Sequence, residues 1–126
     1  MRTKIAAISA LLVIAANAHA DIIKCSFTEP FITVTYSTNT SELTTSSFAG
    51  EGEDVSVEKA VSFQIKGPGK FELVSAKGET RMKLDLNFAG SDGMSDFDYP
   101  YHAELTTSGF IGGCSSNHLH VKKNGG

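Results

Sequence analysis

Histidines near the end of the chain have a spacing that suits metal binding. His118 and His120 lie two positions apart in the segment "NHLHVKK", which we predict to be a strand. Alternate side chains of a strand share a face, so both imidazoles would point the same way. His102 or Glu104, from a nearby strand, would supply a third ligand for a divalent metal ion. The alternative is a pair of exposed histidines with no metal.

Acidic side chains are concentrated in "GSDGMSDFDYP", residues 90–100. Asp92, Asp96 and Asp98 would offer the oxygen ligands that Ca²⁺ prefers. Their spacing does not fit an EF-type loop, because the first two lie four positions apart and no closing Glu follows. The alternative is a turn in which Asp side chains accept backbone N–H groups.

The same segment carries apolar side chains that suit a protein interface. Met94, Phe97 and Tyr99 lie among the aspartates, and Tyr is favoured at interfaces. The alternative is a structured connection that tucks Phe97 over one end of a barrel, with Met94 and Tyr99 as plugs. The candidate interaction loop therefore comprises Asp92, Met94, Asp96, Phe97, Asp98 and Tyr99.

The sequence contains no catalytic pattern. No G-x-S-x-G elbow occurs around any serine, and no pair of Asp or Glu residues is singled out by its spacing. We therefore expect a protein that is not an enzyme and has no cofactor. A hydrolase whose site is assembled from distant residues is the alternative.

The first twenty residues have the features of a secretory signal peptide. Arg2 and Lys4 precede an apolar run at 5–16, and "AHA" at 18–20 is a small-x-small cleavage site. We expect residues 1–20 to be removed. A membrane anchor is the alternative, but the apolar run is shorter than the roughly 18 residues of a spanning helix.

Residues 21–126 are expected to form a single domain in the periplasm or outside the cell. Removing the signal takes away two of the 11 basic residues and none of the 14 acidic ones, leaving a net charge of about −5. That charge disfavours nucleic acid and anionic membrane surfaces. No later segment is apolar enough to insert into a membrane. The expected partner is a protein or small ligand of the cell envelope.

Two cysteines, Cys25 and Cys114, lie far apart in this segment. Export to an oxidising compartment favours a disulfide between them. It would close a loop of about 90 residues, worth roughly 4 to 5 kcal/mol in the chain-entropy description. Two free buried thiols are the alternative.

Alternating apolar and polar residues indicate an all-β fold. In "FITVTYS", Ile32, Val34 and Tyr36 share one face, and similar runs are separated by turns such as "GPG" at 67–69. We expect a small antiparallel β-barrel, or a sandwich, of about seven to eight strands with one disulfide. A barrel is favoured because closure removes exposed edges.

Other segments carry less regular patterns. Residues 38–54 are expected to be a long connection containing at most one weak strand, and "DVSVEKAV" at 54–61 could form a short turn of helix. Apolar residues at alternate positions of the remaining strands are expected to share one face of each strand, and those of the last strand, Leu119 and Val121, to face inward. They include Phe63, Ile65, Phe71, Leu73, Met82, Leu84, Leu86, Phe88, Tyr101, Ala103, Leu105, Leu119 and Val121.

Three short motifs follow one another in a recognisable order. They are "EPF" at 29–31, "DGMSD" at 92–96 followed by "YP" at 99–100, and "GGC" at 112–114. This order resembles a family of small, uncharacterised bacterial envelope proteins with the motifs E-P-F-W, C-x-D-G-M-S-D, Y-P, and G-C-C or G-G-C. The resemblance covers roughly residues 25–115. It implies a small exported β-barrel and carries no activity with it.

The chain departs from the family pattern in two places. Ile32 stands where the family usually has Trp, and Gly90 and Ser91 stand where it tends to carry a cysteine. Without that cysteine, the resemblance implies that Cys114 pairs with Cys25 or stays free. Similar disulfide-tied barrels include envelope lysozyme inhibitors, so inhibition of a basic lysozyme-like enzyme is one form the expected binding function could take.

Overall fold

The computed structural model describes residues 21–28, 31–48 and 52–123. The predicted signal peptide and the first two residues of "EPF" lie outside the described residues. In the part of the chain that is described, no helix reaches the length and hydropathy needed to cross a membrane.

All of the regular structure is β. The strands are β1 (Ile22–Phe27), β2 (Phe31–Ser37), β3 (Glu42–Phe48), β4 (Glu53–Glu58), β5 (Ser62–Gly67), β6 (Lys70–Val74), β7 (Thr80–Asp85), β8 (Phe97–Asp98), β9 (Tyr101–Leu105), β10 (Phe110–Ser116) and β11 (Lys122–Lys123). Nine of them form one antiparallel sheet in the order β4-β3-β2-β1-β10-β9-β7-β6-β5, while β8 and β11 pair with each other. The sheet curls into a half-barrel. The predicted all-β, antiparallel, barrel-like fold is confirmed.

Two meanders make up this sheet, and they meet along one ladder. Strands β1 to β4 run consecutively in one half, and β5, β6, β7, β9 and β10 form the other. The ladder between β1 and β10, which we call the seam, runs from the pair Ile23–Ser116 to the pair Phe27–Gly112. Strands β4 and β5 are the outer strands, and no ladder between them closes the barrel within the described residues.

The disulfide predicted from the sequence crosses the seam. Cys25 and Cys114 are bonded, lie directly opposite each other on β1 and β10, and have Cα atoms 4.0 Å apart. Both residues are buried. The alternative of two free thiols is therefore wrong, and the bond indicates an oxidising environment outside the cytoplasm.

Period-two alternation explains which side chains reach the core. On β2, Ile32, Val34 and Tyr36 are buried, whereas Phe31 and Thr33 are exposed on the opposite face. The predicted inward positions on β7 and β9 behave in the same way. The buried cluster comprises Ile23, Cys25, Phe27, Ile32, Val34, Tyr36, Leu43, Val61, Leu73, Met82, Leu84, Tyr101, Ala103 and Cys114, with Phe63, Phe71, Leu105 and Phe110 packed against it.

Side chains bridge the open side of the half-barrel, near the connection from β4 to β5. The Tyr36 hydroxyl donates a 2.6 Å hydrogen bond to the carbonyl oxygen of Val61, which is fully buried. Arg81 on β7 donates to both carboxylate oxygens of Glu58 on β4, at 3.0 and 3.2 Å. The bidentate pair joins one outer strand to the other meander.

The connection predicted at 38–54 contains the one strand that the sequence allowed, whereas the short helical turn predicted at 54–61 is wrong. Residues 42–48 form β3, and most of the expected helical turn is β4. Ser and Thr occupy four consecutive positions of β3, on both of its faces, so its local composition is polar. It is held because Leu43 is buried opposite Tyr36 in an unbroken ladder with β2.

Three apolar side chains that were predicted to share a face with the other apolar residues of their strands are exposed: Ile65 on β5, and Leu86 and Phe88 beyond β7. Ile65 lies on an outer strand beside a register shift. Strand β7 ends at Asp85, whose carboxylate accepts the N–H of Asn87 at 2.8 Å and turns the chain. The alternating pattern therefore continues in sequence beyond the point where the strand stops.

Candidate functional site: an apolar face beside the aspartate loop

Residues 90–100 form a structured loop that lies against the outer side of the seam. Gly90 and Tyr99 exchange two backbone hydrogen bonds, of 2.8 and 3.0 Å. A Cβ added to Gly90 would lie 2.1 Å from the carbonyl oxygen of Tyr101, and one added to Gly113 would lie 2.7 Å from Tyr99 Cγ. The loop can therefore approach the sheet only because glycines stand at both positions.

Asp92 organises this loop through its carboxylate. Its Oδ1 accepts the N–H groups of Met94 and Ser95 at 2.9 and 2.8 Å. Its Oδ2 accepts the hydroxyls of Ser95 and Tyr99 at 2.9 and 3.0 Å. Burial raises the pKa of Asp92, but these hydrogen bonds outweigh it and lower the pKa from 3.8 to about 2. The geometry is that of the turn anticipated as the alternative to a calcium loop.

The loop also contacts the first meander. The hydroxyl of Thr28, just after β1, donates a hydrogen bond to the backbone carbonyl of Asp92. Because Tyr99 covers Gly113 on β10, the loop contacts both sides of the seam. The motifs "DGMSD", "YP" and "GGC" therefore meet at one place, where each has a packing role. Gly113 was singled out only as part of the motif "GGC", and Thr28 was not foreseen, since no sequence pattern singles it out.

Met94, at the tip of the loop, is 65 % exposed, so the prediction that it plugs the barrel is wrong. Phe97 is also largely exposed, whereas Tyr99 is half-buried against the seam. Met94 lines a cleft of about 320 Å³ together with Phe31 and Phe48 of the sheet. The loop therefore presents Met94 beside two exposed aromatic rings.

Further exposed apolar side chains lie beyond this cleft on the outer side of the first meander. Phe31 and Phe48 are directly opposite each other on β2 and β3. Val55 on β4 is the diagonal neighbour of Phe48 on the same face, and Val57 is two positions further along. All of these side chains are about half exposed or more. We call Phe31, Phe48, Val55, Val57 and Met94 the apolar face.

An acidic residue borders the apolar face at the start of β4. Glu53 lies directly opposite Phe48 on this face and is contacted by the hydroxyl of Ser46, whereas the next residue, Asp54, points to the other side of the sheet. Both acidic side chains are exposed. The sequence does contain a signal for this surface. In "FITVTYS" the outward-facing positions 33 and 35 carry threonine, whereas position 31 carries the apolar Phe31.

The three histidines of the predicted metal site do not converge. His102 on β9 lines a depression with Lys83 and Asp85 on the outer side of the second meander. His118 and His120 line a different depression. No group of three or more His, Cys, Asp or Glu residues suited to a metal ion occurs among residues 21–28, 31–48 and 52–123. The described part of the chain therefore does not bring together the ligands of the predicted metal site.

The segment that carries His118 and His120 is a turn, and the strand predicted there is wrong. Strand β10 ends at Ser116, whose hydroxyl accepts the N–H groups of His118 and Leu119 at 3.2 and 3.0 Å. Leu119 and Val121 are consequently exposed rather than inward-facing. The Nδ1 atom of His118 contacts the carboxylate of Asp21, which is the first of the described residues.

Comparisons of the chain with protein-family models, with curated proteins and with solved structures found no match. The family resemblance carried by the three motifs therefore stays an expectation.

Proposed function

We propose that this protein is a non-enzymatic binding module of the bacterial cell envelope that docks a protein partner on its apolar face. The observation that carries the proposal is the position of Met94, which a hydrogen-bonded loop holds beside the exposed rings of Phe31 and Phe48. Contiguous exposed apolar surface with a polar rim is typical of interaction sites.

Preorganisation of the loop supports the same function. The carboxylate of Asp92 uses both of its oxygens within the loop, and Tyr99 anchors the loop on the sheet. A surface that is already ordered loses less conformational entropy on association. The carboxylate is also committed to structural hydrogen bonds, which suits a scaffold role better than acid-base chemistry.

The charge around the apolar face favours a basic partner. Glu53 lies on its border, the exposed Asp54 follows on the other side of the outer strand β4, and the chain without residues 1–20 carries about −5. Complementary charge speeds encounter and disfavours acidic competitors. Inhibition of a basic lysozyme-like enzyme is one specific form of this function. The disulfide and the signal-like first twenty residues support export to the envelope.

A matched pair of surface variants tests the docking surface. Phe48→Ser/Met94→Ser removes two side chains of the apolar face, whereas Ile65→Ser/Phe88→Ser removes two equally exposed apolar side chains elsewhere. Immobilised wild-type and variant proteins would be incubated with bacterial envelope extract, and retained proteins measured by quantitative mass spectrometry and then by calorimetry. We expect a partner that the control variant retains and the Phe48/Met94 variant loses. Identical capture by all three proteins would contradict the proposal.

The lysozyme-inhibitor form has its own test. The mature protein would be titrated into a standard cell-wall lysis assay with lysozymes of different classes. Inhibition that the Phe48→Ser/Met94→Ser variant lacks would support this form. Full lysozyme activity at a large excess of the protein would remove it and leave the broader docking proposal to the extract experiment.

A further inference from the structure

The two outer strands of the half-barrel differ in how well they are protected against pairing. The ladder of β5 with β6 shifts register between Ile65 and Gly67, and Lys66 lies at the shift. Bulges and lysines are features that block added strands. In contrast, β4 pairs with β3 in an uninterrupted register from Leu43–Glu58 to Phe48–Glu53. Strand β4 contains no proline, and its far side has no strand partner within the described residues.

The charges of β4 select against pairing with a second copy of itself. Glu53, Asp54 and Glu58 are its only charged residues, and all three are acidic. Symmetric antiparallel pairing of two β4 strands about Ser56 would place Asp54 of each copy opposite Glu58 of the other. Like charges directly opposite each other destabilise a ladder. Glu58 is already paired with Arg81, so the exposed Glu53 and Asp54 are the charges that favour a strand carrying lysine or arginine.

We propose that β4 accepts an extended, basic segment of a partner protein as an added strand. This inference rests on the proposed docking function and specifies how the partner is held. The added strand would extend the sheet through main-chain hydrogen bonds and so continue the apolar face.

The side chains of β4 define the sequence that such a segment should have. Glu53, Val55 and Val57 lie on the outer face, and Asp54 and Ser56 point to the other side. An antiparallel added strand would therefore place valines opposite Val57 and Val55, and basic residues opposite Asp54 and Glu53. Read from its own N-terminus, the preferred core is Val-Thr-Val-Lys-Lys.

Synthetic peptides provide the test. The probe is acetyl-TSVTVKKTS-amide, titrated into nitrogen-15-labelled protein and followed by NMR shifts and by amide hydrogen exchange. The charge control replaces both lysines with glutamate, and the backbone control is N-methylated throughout the Val-Thr-Val-Lys-Lys core. We expect the probe to slow exchange in β4 and to bind roughly tenfold more tightly than the glutamate peptide. The N-methylated peptide should not bind.

Protein variants test the charge assignment without disturbing the core. Glu53→Lys/Asp54→Lys should reverse the preference, so that the glutamate peptide binds more tightly than the lysine peptide. Lys66→Glu, on the other outer strand, should leave the preference unchanged. Because the substituted residues Glu53, Asp54 and Lys66 are all exposed, each variant should fold like the wild type, and a thermal unfolding scan verifies this.

Three results would overturn the inference. They are no binding of the probe up to about 1 mM, equal binding of the N-methylated peptide, or slowed exchange in β5 rather than β4. If the N-methylated peptide binds as tightly as the probe and this binding is lost in the Phe48→Ser/Met94→Ser variant, strand addition at β4 is excluded. The proposed docking function of the apolar face would then still stand. If the extract experiment captures no such partner but β4 binds the probe selectively, the proposed function is contradicted. The inference that β4 accepts an added strand would then still stand.

Discussion

The ring of Tyr99 covers Gly113 so closely that a Cβ on the glycine would lie 2.7 Å from Tyr99 Cγ. Gly113 pairs with Ser26 in the seam, one position from the disulfide on the other face of the sheet. The junction between the two meanders is therefore fixed from both sides. A covalent bond holds the inner face, and a loop anchored by an aromatic ring covers the outer face.

Substitution of Gly113 should destabilise the protein through this contact. Gly113→Ala forces Tyr99 off the sheet or shifts β10, so we expect a loss of about 1 to 3 kcal/mol in the free energy of unfolding. Urea unfolding, followed by tyrosine fluorescence and circular dichroism, measures the loss. Gly67→Ala is the matched control, because its added Cβ would meet its nearest atom at 4.0 Å. Equal effects of the two substitutions would contradict the role of the contact.

The carboxylate of Asp92 should make stability depend on pH in the acid range. Its pKa is lowered from 3.8 to about 2 in the folded protein, so its charged form favours folding. The stabilisation is fully present above 3.8 and is lost as the pH falls towards 2. Asp92→Asn should lack this component and should be less stable at neutral pH by about 1 kcal/mol. Unfolding free energies of both proteins across this range provide the measurement. Parallel curves would contradict the prediction.

Loss of the disulfide should be the most costly single change. The bond closes a loop with a sequence separation of 89, so Cys25→Ala/Cys114→Ala should lose roughly 4 to 5 kcal/mol. Thermal unfolding with and without a reducing agent tests this, because the reductant should destabilise the wild type and leave the double variant unchanged. A wild type that is insensitive to complete reduction would count against the prediction.

The ion pair between Glu58 and Arg81 should couple β4 to the second meander. Both side chains are about one-third exposed, so we expect a coupling energy of only about 0.5 to 1 kcal/mol. A double-mutant cycle with Glu58→Gln and Arg81→Gln gives that energy. Hydrogen exchange should be faster in β4 of either variant, while β2 stays protected. If the two single substitutions change the free energy of unfolding in a strictly additive way, the ion pair does not couple β4 to the second meander.

Those parts of the fold that depend on alternation could be predicted from the sequence. The burial of Val34 and Tyr36 on β2 and of Met82 and Leu84 on β7 follows from period two, and the disulfide follows from the oxidising compartment. Strand β3 could be anticipated only as one weak strand somewhere within residues 38–54, because only Leu43 of its residues is buried and its pairing with β2 stabilises it.

The candidate site could be predicted only in part. The loop around Asp92 was singled out by its composition, and its turn geometry was one of the alternatives considered. Its neighbours Phe31 and Phe48 depend on the register between β2 and β3, which no local pattern specifies. Strand β10 was not predicted, and the strand that was predicted at 117–123 is mostly a turn, because the hydroxyl of Ser116 accepts the N–H groups of His118 and Leu119 at the end of β10.

The position of the disulfide also determines how the molecule would respond to mechanical tension. Asp21 and Asn117 lie together at one end of the seam, just outside the pair Ile23–Ser116, where Asn117 and Ile22 are joined by hydrogen bonds of 3.1 and 3.2 Å. Force applied between them would peel only the few residues outside the Cys25–Cys114 bond and would then load the bond itself. The sheet enclosed by that covalent ring would bear almost none of the load, and the protein would behave as an inextensible link.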